Sequence, residues 1–113
     1  MIEKKSHKGE GQWKVLVETE GWNVAFLRYG EKFAKYNQME RHLETDEVFV
    51  LLEGTAILYT PDEVCEMEPM MVYNIPKGEW HHITVSRDAT VLVIENANTT
   101  KENSESKFLE SEE

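Results

Sequence analysis

The sequence is a succession of short runs rich in Val, Ile, Phe and Tyr, none of them long enough for a stable helix, each stopped by turn chemistry. The runs are Lys14 to Glu18, Trp22 to Tyr29, Glu47 to Leu52, Thr55 to Tyr59, Met70 to Ile75, His81 to Ser86 and Thr90 to Glu95. Between them stand Thr19-Glu20-Gly21, Glu53-Gly54, Pro61-Asp62, Pro76-Lys77-Gly78 and Arg87-Asp88, residues that supply positive φ, a preset φ or side-chain-closed turns. Evenly spaced short strands of this kind predict an all-β sandwich or barrel. With 113 residues the chain fits one domain, 1–113, with a polar arm over about 1–12 and a charged tail over about 98–113. The tail holds one apolar pair, Phe108-Leu109, expected to dock it on the barrel or on a partner copy.

Strand parity sorts the polar residues, because alternate side chains leave a strand on opposite faces. Glu47, Phe49 and Leu51 share one face, Val48, Val50 and Leu52 the other, and both faces are apolar. A strand of this kind is covered on both sides, by the barrel interior and by a second sheet or a subunit. Further on, His81 aligns with Ile83 and Val85, whereas His82 aligns with Thr84 and Ser86. Parity therefore sends His81 inward and His82 outward to solvent. Gln38, Glu40 and His42 share one parity, and His7 lies in the polar arm as a solvated side chain.

The chemistry-bearing residues cluster in two stretches. His42 is followed after four residues by Glu47, and Glu47 after six by Gly54; later, Pro76, Gly78 and His81 close a second pattern. Over about residues 36 to 86 the sequence resembles the cupin superfamily, in particular its small bacterial-type single-domain members. The superfamily's motifs run roughly G-x5-HxH-x3,4-E-x6-G and G-x5-PxG-x2-H-x3-N. Glu40 stands where the first motif has its first histidine, Met70 where the second has its leading glycine, and Val85 at its asparagine. The resemblance implies a double-stranded β-helix, or jelly-roll barrel. It also implies a divalent transition metal (Fe, Mn, Zn, Ni or Co) held by His42, Glu47 and His81, with Glu40 as an optional fourth ligand or a group hydrogen-bonded near the ion. Beside these motifs, Gln38, Tyr36, Tyr73 and Trp80 are candidate substrate contacts, and Arg28 is a weaker one, better suited to a surface ion pair.

Charge and composition exclude several roles. The net charge of −10 removes the attraction for a phosphate backbone, so nucleic acid is not an expected partner. No apolar run approaches the roughly 18 residues of a membrane span, and the opening residues lack the apolar core of a signal peptide, which predicts a cytoplasmic protein. The single cysteine, Cys65, has no intrachain partner and reads as a small packed residue. The apolar outer set Val48, Val50 and Leu52 predicts a homodimer.

Two classes of function follow. The first is a metal-dependent enzyme acting on a small polar molecule, of isomerase, oxygenase or lyase type, in which Glu40 beside the cation acts as the catalytic base. The second is a non-catalytic small-molecule-binding or sensor cupin. No segment of the chain reads as a DNA-binding helical unit, so a sensor role requires a separate partner. A storage role is disfavoured by small size and acidity.

Overall fold

The computed structural model describes residues 1–8 and 11–109. Its strands are β1 (Trp13–Glu18), β2 (Trp22–Arg28), β3 (Gln38–His42), β4 (Glu47–Glu53), β5 (Ala56–Tyr59), β6 (Val64–Glu66), β7 (Val72–Ile75), β8 (His82–Val85), β9 (Thr90–Asn96) and β10 (Ser104–Phe108). One 3-10 turn, Glu31–Phe33, is the sole helical element among the described residues. The all-β expectation holds.

Two layers face each other. The first is a sheet in the order β1-β2-β9-β4-β7; the second contains β6-β5-β8 and the pair β10-β3. The two parts of the second layer join where Glu40 and His81 exchange backbone hydrogen bonds, each 2.9 Å. Period-two patterning sets the interior: Phe49 and Leu51 of β4, Val91 and Val93 of β9 and Leu27 of β2 meet Leu58, Ile83 and Val85 from the opposite layer. All pairings within the sheets are antiparallel, and the register sets Glu47 opposite Glu95 and Phe49 opposite Val93.

Three strands lie outside the apolar runs of the sequence. β3 and β10 are polar, and β6 has three residues, so none carries enough hydrophobic signal to be read alone. β10 nevertheless pairs with β3 over five residues, from Ser104 opposite His42 to Phe108 opposite Gln38. Within the chain Phe108 does not pack on the barrel: it is 81% exposed, and the tail is held by its backbone ladder, extended by the Leu109 amide donating to the Asn37 carbonyl at 2.9 Å.

His82 needs a correction. It points away from His81 as parity requires, but it is 1% exposed instead of solvated. The segment between β2 and β3 lies over that face: the His82 ring stacks with Phe33 and Tyr36, and Nε2 donates to the Lys35 carbonyl at 3.0 Å. Parity identifies a face, and which face is dry depends on what crosses it.

On the outer side of the five-stranded sheet, Val48 and Val50 of β4 lie opposite Ile94 and Leu92 of β9, which lie opposite Val24 and Phe26 of β2. Leu52, Val72 and Ile94 on this side remain exposed. The inner face of β4 is thus buried within the chain, while its outer face is only partly covered.

Met70 has φ of +66°, the left-handed conformation natural to glycine, at the position where the resembled motif has one. Its side chain is 82% exposed, so it contributes little burial in return. A β-carbon in this region costs about 1 kcal/mol or more. Met70→Gly is therefore expected to stabilise the protein by about 1 kcal/mol, despite the greater freedom of glycine in the unfolded chain. Thermal melting should show a rise of a few degrees, and a fall would show that the Met70 side chain makes a needed contact.

Candidate metal centre

Three strands deliver three side chains to one point. His42 ends β3, Glu47 begins β4 on its buried parity, and His81 bridges to β3 just before β8. The two sequence motifs are sewn together by their loops: the Gly78 amide donates to the His42 carbonyl at 2.7 Å, and the Lys77 amide donates to Asp46 Oδ1 at 2.9 Å. Gly78 adopts φ of +82° in this turn, which suits glycine. The Asp46 carboxyl is held below its ordinary range first by that Lys77 amide and then by Asn74. The turn that carries His81 is thereby fixed against the turn between His42 and Glu47.

Glu47 Oε1 lies 3.0 Å from His81 Nε2 and 3.3 Å from His42 Nε2. One donor atom from each of the three residues falls within 4.8 Å of the others. His81 Nδ1 is 3.0 Å from the Glu79 carbonyl, which only accepts, so this nitrogen carries the hydrogen. In the neutral ring Nε2 then turns a lone pair toward the carboxylate. That arrangement is favourable only with a positive charge between the two atoms, either a proton or a metal cation. Zinc-like ions bind histidine nitrogen and carboxylate oxygen at about 2.1 Å, which puts neighbouring donors about 3.0 to 3.4 Å apart. The two carboxylate–imidazole spacings fall in that range, and the donor chemistry fits.

The three side chains border a cavity of about 280 Å³, also lined by Gln12, Trp13, Lys32, Phe33, Glu40 and Glu95. Burial alone would raise the Glu47 carboxyl, but hydrogen bonds from His42 and His81 outweigh it and bring its pKa down to about 2. His42 is correspondingly raised, chiefly by its hydrogen bond to Glu47 and against the effect of burial. Glu95 moves the other way: burial first, then the adjacent Glu47 charge, pushes it up to about 7. Two carboxyl groups this close do not both ionise readily, and the one without the imidazoles keeps its proton.

Glu40 lines the cavity, yet its carboxylate turns to Lys32, with Oε2 3.2 Å from Nζ, and it is not in the three-residue cluster. The candidate contacts Gln38, Tyr36, Tyr73 and Trp80 do not line this cavity, and each has its own surroundings. Tyr36 stacks on Tyr59 with ring centres 4.0 Å apart, and the Tyr73 hydroxyl accepts the Glu68 amide hydrogen at 2.8 Å. The Trp80 ring lies under the cations of Arg41 and Lys107, at 4.5 and 4.2 Å, and Gln38 begins β3 opposite Phe108. Aromatic residues near a motif have packing partners of their own. Glu95 was missed, although a signal existed: it follows Val91 and Val93 on one parity, so the inward face of β9 ends in a carboxylate.

No protein-family model and no curated protein matches the sequence. Solved structures do match. A Streptomyces Pac13 variant with uridine aligns with a TM-score of 0.72 at 8% identity, covering 98% of this chain and 94% of that one. KdgF from Halomonas aligns at 0.66 and 13% identity, covering 85% and 89%, and a cupin-2 domain protein from Shewanella frigidimarina at 0.59 and 22%, covering 80% and 82%. The fold is that of a small cupin. Within this fold, the two stretches that resemble the motifs are the ones sewn together at the cluster, and Glu40 occupies the first-histidine position with its charge turned to Lys32.

The raised Glu95 has a consequence for stability in the metal-free protein. Its folded pKa of about 7 exceeds the ordinary 4.5, so the folded state binds the extra proton between these values. The associated stability is complete below about pH 4.5 and is lost as pH rises through about 7. Chemical denaturation of chelator-treated protein between pH 5 and 8 should show a smaller loss of stability for Glu95→Gln than for wild type. Identical slopes would mean that Glu95 ionises freely.

Proposed function

We propose that this cupin binds one divalent transition metal ion through His42, Glu47 and His81 and is an enzyme acting on a small polar molecule such as a sugar derivative, hydroxy acid or keto acid. The observation that carries the reading is the convergence of two Nε2 atoms on one buried carboxylate beside a cavity. About 280 Å³ lies at the small end of ligand pockets, which suits a metabolite and not a polymer. The bound ion supplies Lewis acidity and open positions for a substrate oxygen, the chemistry shared by isomerases, oxygenases and lyases. Fe, Mn, Zn, Ni and Co all suit the donor set.

The chain's own groups divide the remaining work. Glu40 is the candidate base at the cavity wall, and Lys32 orients its carboxylate. Glu95, carrying its proton toward neutral pH, can donate a hydrogen bond to a substrate oxygen. Trp13 and Phe33 supply apolar wall, and Gln12 an amide. Pac13 is described as a nucleoside dehydratase, which supports a small oxygenated substrate without identifying it for this chain.

The paired histidines test the metal reading. His81→Ala removes a ligand and should lower metal occupancy by at least about 10-fold to 100-fold, the loss that even supporting groups cause. His82→Ala should retain the metal while losing about 2 to 3 kcal/mol of stability, because it empties a packed site. Wild-type occupancy should fall below about pH 6 as protons compete for the imidazoles. Elemental analysis of the purified proteins checks each point, and metal retained by His81→Ala but lost by His82→Ala would overturn the assignment.

The same proposal includes a cytoplasmic homodimer. No helix among the described residues is long and apolar enough to cross a membrane. Val24, Phe26, Val48, Val50, Leu92 and Ile94 form an apolar patch, bordered at Phe26 by Lys14 and Arg28, on a chain of net charge −10, where two copies can meet on uncharged side chains. Light scattering should give twice the chain mass of 13.2 kDa, and Val50→Glu should reduce it to one. A wild-type protein of single mass at micromolar concentration would refute this assembly.

A further inference from the structure

The other nitrogen of His42 points to the end of the chain. Its Nδ1 lies 2.8 Å from the hydroxyl of Ser104, the first residue of β10, which stands directly opposite His42 in the β3–β10 ladder. A hydroxyl that accepts the Nδ1 hydrogen leaves Nε2 free to offer its lone pair toward Glu47 and the cavity. His81 obtains the same support from the Glu79 carbonyl of its own turn. His42 obtains it from a strand 62 residues away in sequence.

We propose that Ser104 is a positioning residue for His42 and that docking of β10 sets the affinity of the site for metal; the proposal rests on the metal reading given above. β10 is held by its backbone ladder and by polar contacts. Arg41 pairs with Glu105, Lys107 stacks on Trp80, the Asn103 carbonyl accepts the Leu43 amide hydrogen at 2.7 Å, and Asn103 Nδ2 donates to Glu44 at 3.1 Å. Four of its five residues are exposed, so little apolar burial holds it in place. A strand with exposed backbone bonds and few buried contacts opens at lower cost than the core. β3 in turn lies between β10 and the two-bond bridge from Glu40 to His81, so losing β10 leaves a ligand-bearing strand at an edge.

The test uses full-length protein, with Zn²⁺ as the probe. Ser104→Ala should weaken Zn²⁺ binding by about 10-fold or more, the usual effect of losing a ligand's hydrogen-bond partner. Ser104→Thr retains the hydroxyl and should restore most of that affinity. Glu105→Lys should also weaken binding with Ser104 intact, because it opposes Arg41 and loosens the strand. Independently of metal, the Nδ1 NMR signal of His42 in the metal-free protein should carry a hydrogen-bond shift in wild type and Ser104→Thr, and lose it in Ser104→Ala. Unchanged Zn²⁺ affinity in Ser104→Ala would overturn the proposal while leaving the metal reading intact. Should wild type bind no Zn²⁺, the metal reading fails; identical His42 signals in wild type and Ser104→Ala would then overturn the positioning role as well.

Discussion

A buried carboxylate facing two imidazoles is the interaction on which this structure turns. Glu47 is 6% exposed, at the head of a strand whose inner residues are otherwise Phe49 and Leu51. An ionised carboxylate does not remain in such a place alone, because desolvation costs several kcal/mol unless charge and hydrogen bonds compensate. His42 and His81 supply that compensation from two other strands. The loops between them, joined through Asp46, Lys77 and Gly78, hold the three groups in one place.

The neighbourhood extends the same electrostatic logic. Glu95 faces Glu47 across β9 and β4, and its carboxyl rises because the nearby negative charge and burial both oppose ionisation. Glu40 turns its carboxylate to Lys32. The cavity therefore holds carboxyl groups in three different environments: one bound by imidazoles, one beside another acid and one beside an ammonium group. Such divergence among like groups is common where a site performs proton chemistry.

Much of the fold was legible because burial leaves a period in the sequence. The inner faces of β4 and β9 are alternating apolar residues, and the turns between strands carry Gly, Pro and Asp. β3 and β10 were hidden because their stability comes from backbone pairing, which any polar residue can join. The surroundings of the aromatic candidates were hidden for a related reason. Tyr36, Tyr73 and Trp80 are near the motifs in sequence, but a ring packs against whatever surface the tertiary structure brings to it.

The sequence by itself determined which face each strand residue occupies, and so separated His81 from His82 and put Glu47 inside, because the pleat of a strand is a local property of the backbone. Only the tertiary structure decided what each face meets. His82 is buried because Phe33 and Tyr36 cross over it, Glu95 joins the site because β9 lies beside β4, and Ser104 reaches His42 because the tail returns as a strand. These pairings join residues far apart in the chain, and local periodicity carries no record of which distant strand will lie alongside.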